Sequence, residues 1–579
     1  MADLTYKRIS PSPLPVPFAI GKLAMYVKDK LSQEVEIKIV RTPEQFYSSL
    51  DSKFDIAGFS HYIWNANLSK YLAEHLKIVK PNCVIVFGGP HLPINIDNQV
   101  RYLKSLPAMD FFIEKEGEIA FYNLVVALAE SNFDVNLVKD LRIKSVRSIK
   151  NGNLISSPLE DRISDLDSVS SPYLEGIMDE FLEQGYIAMF ENNRGCPFSC
   201  DYCGEGDKYH NRVAVHSLDY LKKEYEYVAK KMADLKHLPF SDTIYFSDSN
   251  TGMYSMDIEL CSFLRDLQNK YNWPKKIITS TGKNLKERVI SCIELLNGAL
   301  TLTASVQSTD PEVLANIKRK NISIDALMSL ATVGDSGSGH RSFSEIILGL
   351  PGDSFSRHLK SIKDMMSANI NELRIVQLMI LPDTPMDSLE YRRRFQLKTK
   401  FRILVKGFER VRVGDSYKNA VEYEEICVGT ENLSFEDYIK CRILCLMVNI
   451  FYNNIFSQNT FSIFFDRKLS PFEYLKLIFD MEKPVTLVAL INQYSEALQE
   501  ELFDSREDIE RFLSKDDTYE KLRKSEIGRN PLYYFSEEAI KHPKEVITLA
   551  SKAAEIISGA DLGKEIVKDI CCFYRWPSY

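Results

Sequence analysis

Residues 193–203 read Asn193-Arg194-Gly195-Cys196-Pro197-Phe198-Ser199-Cys200-Asp201-Tyr202-Cys203, a C-x3-C-x2-C directly after the apolar run Tyr186 to Glu191. Thiolates are soft ligands that suit iron–sulfur clusters, and spacings of two or three residues let one loop reach several corners of a cube. Three cysteines leave one iron of a 4Fe-4S cube without a protein ligand. An open metal position is where a substrate or cofactor can coordinate, as in open catalytic zinc sites. Two other readings stand beside this one. They are a structural zinc site completed by His210, at C-x3-C-x2-C-x6-H, and unligated thiols.

The run before the cysteines opens a series of strand-like segments continuing at Thr243 to Phe246, Ile277 to Thr281, Thr301 to Gln307, Phe343 to Leu348 and Leu373 to Leu381, with helical stretches between them. This α/β alternation predicts a central partial (β/α)6 TIM-like barrel over 181–390, with its chemistry at the carboxyl ends of the strands. Upstream, Val35 to Val40, Phe54 to Phe59, Cys83 to Phe87 and Asp110 to Ile113 read as strands, and Ile20 to Leu31, Leu68 to Ile78 and Gln99 to Leu106 as helices. They predict an N-terminal Rossmann-like open parallel sheet within 1–149. Ser60 to Asn65, Gly88-Gly89-Pro90-His91 and Glu116-Gly117-Glu118 follow its strands, at the edge where such sheets bind ligands. The polar, Ser- and Pro-bearing stretch 150–180 reads as a connector. Beyond 390 the rhythm gives way to long helical patterns rich in aromatics and broken by Pro471, Pro484 and Pro531. Residues 391–579 are therefore expected to be mainly helical, with a substrate-facing role open to them. Gly334 to His340 reads as a turn.

Length and composition agree. At roughly 150 residues per domain, 579 residues make about three or four domains' worth of chain. Hydrophobic residues are 45% and charged residues 26%, which excludes disorder, collagen and coiled coil as dominant states. A net charge of -8 supplies no global field for a polyanion, so nucleic acid is not an expected partner. No apolar run approaches the ~20 residues of a membrane span, so no membrane is expected, and the opening residues lack a secretory pattern. Eleven cysteines, most of them single, do not form a disulfide framework, and a reducing cytoplasm is the expected location. Cys83, Cys261, Cys292, Cys427, Cys441 and Cys445 read as buried core; Cys571-Cys572 stays undecided. Arg392, Arg393, Arg394, Lys398, Lys400, Arg402, Lys406, Arg410 and Arg412 form a basic run read as a solvated face, with a phosphate or carboxylate site as the alternative.

The cysteine triad, with an aromatic before its third cysteine, resembles the radical SAM superfamily. The resemblance implies that Cys196, Cys200 and Cys203 hold a 4Fe-4S cluster and that S-adenosyl-L-methionine binds its open iron, with Tyr202 beside the adenine. Phe246-Ser247-Asp248-Ser249-Asn250 stands where the family has its second-strand motif, which assigns Asp248 and Asn250 to the cofactor's amino group, although the usual motif is Gly-Gly-Glu. Ser305-Val306-Gln307-Ser308 and Ile317-Lys318-Arg319 resemble the fourth strand and helix, bringing Ser305, Gln307 and Arg319 toward the ribose or carboxylate. Glu345 to Asp353 is similar to the fifth-strand motif, with Gly349 near the adenine, and Leu381-Pro382-Asp383-Thr384-Pro385 to the turn closing the sixth strand.

The N-terminal segments look like the cobalamin-binding domain fused ahead of many radical SAM enzymes. The implied cobalamin contacts are Ser60, Tyr62, Trp64, Gly88, Gly89, Pro90, His91, Gly117 and Glu118. Paired glycines admit a bulky cofactor, and Tyr62 and Trp64 suit a flat macrocycle. No Asp-x-His-x-x-Gly occurs, so that motif supplies no lower cobalt ligand, and His61 and His91 are the nearest candidates. The implied function is reductive cleavage of S-adenosyl-L-methionine to a 5'-deoxyadenosyl radical and cobalamin-dependent methylation of an unactivated carbon of a small-molecule substrate. A reductant such as flavodoxin or ferredoxin is implied with it. Radical rearrangement or cyclisation without methyl transfer is one alternative, and a zinc or iron–sulfur binding protein without turnover another.

Overall fold

The structure, a computed structural model, describes residues 1–6, 14–31, 35–301, 303–321, 343–454, 464, 466–559, 563–565 and 568. Gly334 to His340 and Cys571-Cys572 lie outside the described residues. The N-terminal sheet has the order β1 (Ile56–Ser60), β2 (Val84–Gly88), β3 (Phe111–Ile113), β4 (Val146–Lys150), β5 (Asn153–Ile155). Its first three strands are parallel and the last two antiparallel. Val84 to Phe87 is an unbroken buried run because both faces are covered, as parallel sheets require. Val84 and Val86 join Phe121 and Leu124 of the helix Glu118–Glu130 on one face. Ile85 and Phe87 meet Leu68, Leu72 and Leu76 of the helix Ala66–Val79 on the other. Each such side chain contributes about 1.5–3 kcal/mol on full burial.

Val35 to Val40 is extended but not a strand of this sheet, touching its neighbour at the single bridge Val40 to Ala2. Ala2 also bridges Phe59, so the first residues of the chain occupy the edge of β1.

The next six long strands run parallel in two groups of three. β6 (Ala188–Phe190), β9 (Thr243–Phe246) and β10 (Lys276–Ile278) form one sheet, and β11 (Thr303–Gln307), β12 (Phe343–Leu348) and β13 (Glu372–Gln377) the other. A bridge from Ile277 to Leu300 links them in chain order. Between β6 and β9 the two-residue strands β7 (Asn193–Arg194) and β8 (Ala214–Val215) pair antiparallel and close the base of the cysteine loop.

The C-terminal helices Phe435–Val448, Pro471–Asp480, Val485–Glu500, Pro531–Ile540 and Pro543–Ser558 share one core with Val306, Ile346, Leu348 and Ile375 of the second three-stranded group. Ahead of them stands an element not anticipated in the helical region. A long antiparallel ribbon of β14 (Lys398–Val413) and β15 (Ser416–Gly429) reaches back to the N-terminal sheet. Val411 and Ala420 pack there, and the buried Glu422 accepts from the Asn67 and Leu68 amides at 2.9 and 3.1 Å and from the Tyr6 hydroxyl. The basic run is largely this ribbon and the short helix Leu389–Arg394 before it. Arg392 pairs with Asp387 and Glu425, and Arg402 with Glu424 and Glu501. Among the described residues no helix is long and apolar enough to cross a membrane. Cys83, Cys261, Cys292, Cys427, Cys441 and Cys445 are all buried.

Candidate active site

The cysteine loop is wound tightly enough to fix its thiols. The Cys196 amide donates to the His210 carbonyl at 2.9 Å, Cys203 to the Cys200 carbonyl at 3.1 Å, and Gly206 to the Cys203 carbonyl at 2.9 Å. Gly195 has φ +106°, and a Cβ there would lie 2.6 Å from the Arg212 carbonyl oxygen, so only glycine fits. Cys196 and Cys200 are buried and Cys203 half-buried. Burial pushes the Cys203 thiol up to about 11, and the nearby Cys196 and Cys200 add to the shift, so the three sulfurs share one electrostatic neighbourhood. Among the described residues no three His, Cys, Asp or Glu side chains converge as a single metal ion would require. The ring of His210 is engaged by Asp207 at 2.8 Å. Three soft sulfur donors within one loop are of the type that iron–sulfur clusters take.

The strands beside the loop bring several of the expected cofactor residues to it. Asn250, fully buried after β9, donates through Nδ2 to Cys196 Sγ at 3.3 Å, and its Oδ1 has no partner among the described residues. That orphaned acceptor needs a donor from outside the chain's own groups. Arg319 donates to the Tyr202 hydroxyl at 2.6 Å and to the Ser305 carbonyl, which joins the third cysteine's neighbour to the end of β11. The hydroxyl of Ser305 donates to Glu345 at 3.1 Å. Gln307 is buried with φ +67°, and Gly349, φ +89°, lies against the carbonyl of Cys427. Asp248 is turned inward. Its carboxylate accepts from the Asn192 side chain at 2.6 Å and from the Asn192 and Asn193 amides at 2.9 and 3.2 Å, and burial raises it to about 7. It shapes the entry to the cysteine loop.

Two cavities lie between this loop and the N-terminal sheet. One, of about 300 Å³, is lined by Ser60, Tyr62, Gly88, Gly89, Gly117 and Glu118 together with apolar side chains of the helix Phe18–Leu31. The other, of about 560 Å³, has Tyr62, Trp64, Gly89, Pro90 and His91 on one side and Cys203, Gly204 and Glu205 on the other. Gly89, φ +141°, carries the strand end past His61, whose carbonyl oxygen would stand 2.5 Å from a Cβ there. Tyr62 and Trp64 stack at 4.4 Å with planes 10° apart, and Trp64 remains 53% exposed. Burial, with Arg506, lowers His91 to about 3, so its imidazole is neutral at the cavity wall. His61 is buried behind it, its Nε2 engaged with the Tyr102 hydroxyl at 2.6 Å.

Four residues near the loop escaped the motif reading. Arg194 pairs with Glu191 and Glu118, each at 2.8 Å, and with Glu116 at 3.5 Å; Arg162 holds Glu116 at 2.6 Å. Lys115 pairs with Asp207 at 2.5 Å, and the ammonium of Lys283 stands 5.1 Å from the centre of the Phe198 ring. The signal available was the charge of Glu116, Glu118 and Arg194 beside motif positions; nothing near Lys283 in the sequence marks it.

No family model matches the chain. Over 355 residues it is 29% identical to the cobalamin-dependent radical SAM methyltransferase TokK of Streptomyces tokunonensis, covering 60% of this chain and 50% of that one. The chain is similar in sequence to a cobalamin-dependent radical SAM methyltransferase. A second match is the 2-(S-pantetheinyl)-carbapenam-3-carboxylate methyltransferase of Streptantibioticus cattleyicolor, 27% identical over 414 residues, 70% of this chain and 58% of the relative. This chain thus spans about half the length of these relatives. Among solved structures, the cobalamin-dependent S-adenosylmethionine radical enzyme OxsB, with aqua-cobalamin and S-adenosylmethionine bound, superposes with a TM-score of 0.54 at 13% identity. That match covers 100% of this chain and 84% of OxsB, so the likeness of fold extends across the N-terminal sheet.

Proposed function

We propose that the chain is a cobalamin-dependent radical SAM enzyme that cleaves S-adenosyl-L-methionine reductively and methylates an unactivated carbon of a small molecule. The observation that carries this reading is the 560 Å³ cavity, which has the third cysteine of the loop on one wall and the stacked Tyr62 and Trp64 on the other. When bound, a 4Fe-4S cluster with S-adenosyl-L-methionine supplies one-electron chemistry at a sulfonium, and cobalamin supplies a transferable methyl group. Cys196, Cys200 and Cys203 would hold the cluster. Asn250 offers its free Oδ1 beside Cys196, and Arg319 keeps Tyr202 in place. The glycines at 88, 89 and 117 leave room at the sheet edge for a corrin, and the Tyr62–Trp64 pair gives it a flat surface. A reductant of the flavodoxin or ferredoxin kind would deliver the electron.

The test is anaerobic reconstitution followed by incubation with S-adenosyl-L-methionine, a low-potential reductant and methylcobalamin. Formation of 5'-deoxyadenosine, together with a corrin absorption band that persists through gel filtration, supports the reading. A protein that retains no iron, or retains iron but yields no 5'-deoxyadenosine, overturns it.

A further inference from the structure

Lys283 follows β10 at a bend where Thr281 bridges Thr251 and Gly282 packs on Met253. Its side chain is half-buried, and its ammonium stands 5.1 Å from the centre of the ring of Phe198, midway along the loop from Cys196 to Cys200. Among the described residues it makes no ion pair. The cation beside it is no compensation, since Arg319 spends its donors on three neutral acceptors, Tyr202 Oη, Asn321 Oδ1 and the Ser305 carbonyl. Two carboxylates in and beside the loop have other partners. Asp201 is held by Lys318 at 2.9 Å, and Glu205 accepts from Ser249.

A half-buried cation without a carboxylate is costly unless something anionic faces it. On the reading proposed above, on which this inference rests, that counter-charge is the cluster, which is net negative when held by three thiolates and gains a further negative charge on taking up one electron. We propose that Lys283 is the countercharge of the cluster and sets its reduction potential. Coulomb attraction acts on both redox states but more strongly on the reduced one, so the ammonium favours reduction.

The experiment is an EPR-monitored redox titration of the reconstituted full chain, without S-adenosyl-L-methionine, using dithionite as the one-electron donor, for the wild type, Lys283→Met and Lys283→Arg. Iron content of each is measured alongside. Lys283→Met is expected to bind iron as the wild type does and to show at least a tenfold lower ratio of reduced to oxidised cluster at a fixed potential, a shift of 59 mV to lower values for a one-electron couple. Lys283→Arg is expected to restore most of it. If Lys283→Met keeps the wild-type potential, or if only its affinity for S-adenosyl-L-methionine falls, the inference is overturned while the proposed function stands. If Lys283→Met fails to fold, an unshifted potential in Lys283→Gln overturns the inference equally. A wild type that takes up no iron–sulfur cluster removes both.

Discussion

Glu118 Oε1 and Arg194 Nη2 form a 2.8 Å ion pair that joins the strand-end loop of the N-terminal sheet to the loop of the three cysteines, two residues before Cys196. Glu191 and Glu116 complete a ring of three carboxylates around one guanidinium, which burial would otherwise penalise and which those carboxylates hold fully charged. The Glu116-Gly117-Glu118 segment thereby acts on the cysteine loop as well as on the 300 Å³ cavity, and the relative position of the two units is set electrostatically at this point.

Removing the guanidinium takes from Glu118 and Glu191 their ion-pair partner, while Glu116 keeps Arg162. Arg194→Ala is expected to lower stability by about 3–5 kcal/mol, measured by denaturant unfolding, with Arg194→Lys intermediate because it keeps the charge and loses the fork.

Glu422 predicts a pH dependence. Burial raises its carboxyl from 4.5 to about 7 against the opposing hydrogen bonds from Tyr6 and from the Asn67 and Leu68 amides. Because the folded value lies above the unfolded one, the stabilisation is complete below about pH 4.5 and is lost as the pH rises through 7. The loss amounts to about 3 kcal/mol. Unfolding midpoints measured across that window are expected to fall with pH for the wild type and to be flatter for Glu422→Gln.

Gly89 is expected to tolerate no side chain. With φ +141° and the His61 carbonyl oxygen 2.5 Å from the position of a Cβ, Gly89→Ala strains the turn by about 1–3 kcal/mol or displaces the loop. Thermal unfolding and corrin retention are both expected to fall.

Trp64 separates binding from folding. Being 53% exposed, its replacement by alanine is expected to change stability by no more than about 0.5 kcal/mol, whereas corrin retained after gel filtration drops. Retention equal to that of the wild type would remove Trp64 from the cofactor's surroundings.

Much of this was legible in the chain itself. The run Val84 to Phe87 is continuous because both faces are buried, and such a run announces itself. The C-x3-C-x2-C is equally plain. The ribbon was hidden because Arg402, Arg410 and Arg412 gave it the look of a solvated charge run. Its alternation of Phe401 and Ile403, then Phe408, Val411 and Val413, is broken by an irregularity between Ile403 and Phe408. The strand-like Val35 to Val40 misled because its partner is the distant Ala2, a pairing no local pattern records. Asp248 lay in the right segment, but its buried hydrogen bonds to Asn192 depend on a residue 56 positions away.

The most direct measurement is the metal content and EPR spectrum of the anaerobically reconstituted chain, compared with Cys196→Ala, Cys200→Ala and Cys203→Ala. Iron and acid-labile sulfide in equal amounts, a reduced 4Fe-4S signal that changes when S-adenosyl-L-methionine is added, and loss of that signal in each variant are the expected results. Retention of zinc in place of iron, or a signal indifferent to the three substitutions, would contradict the account.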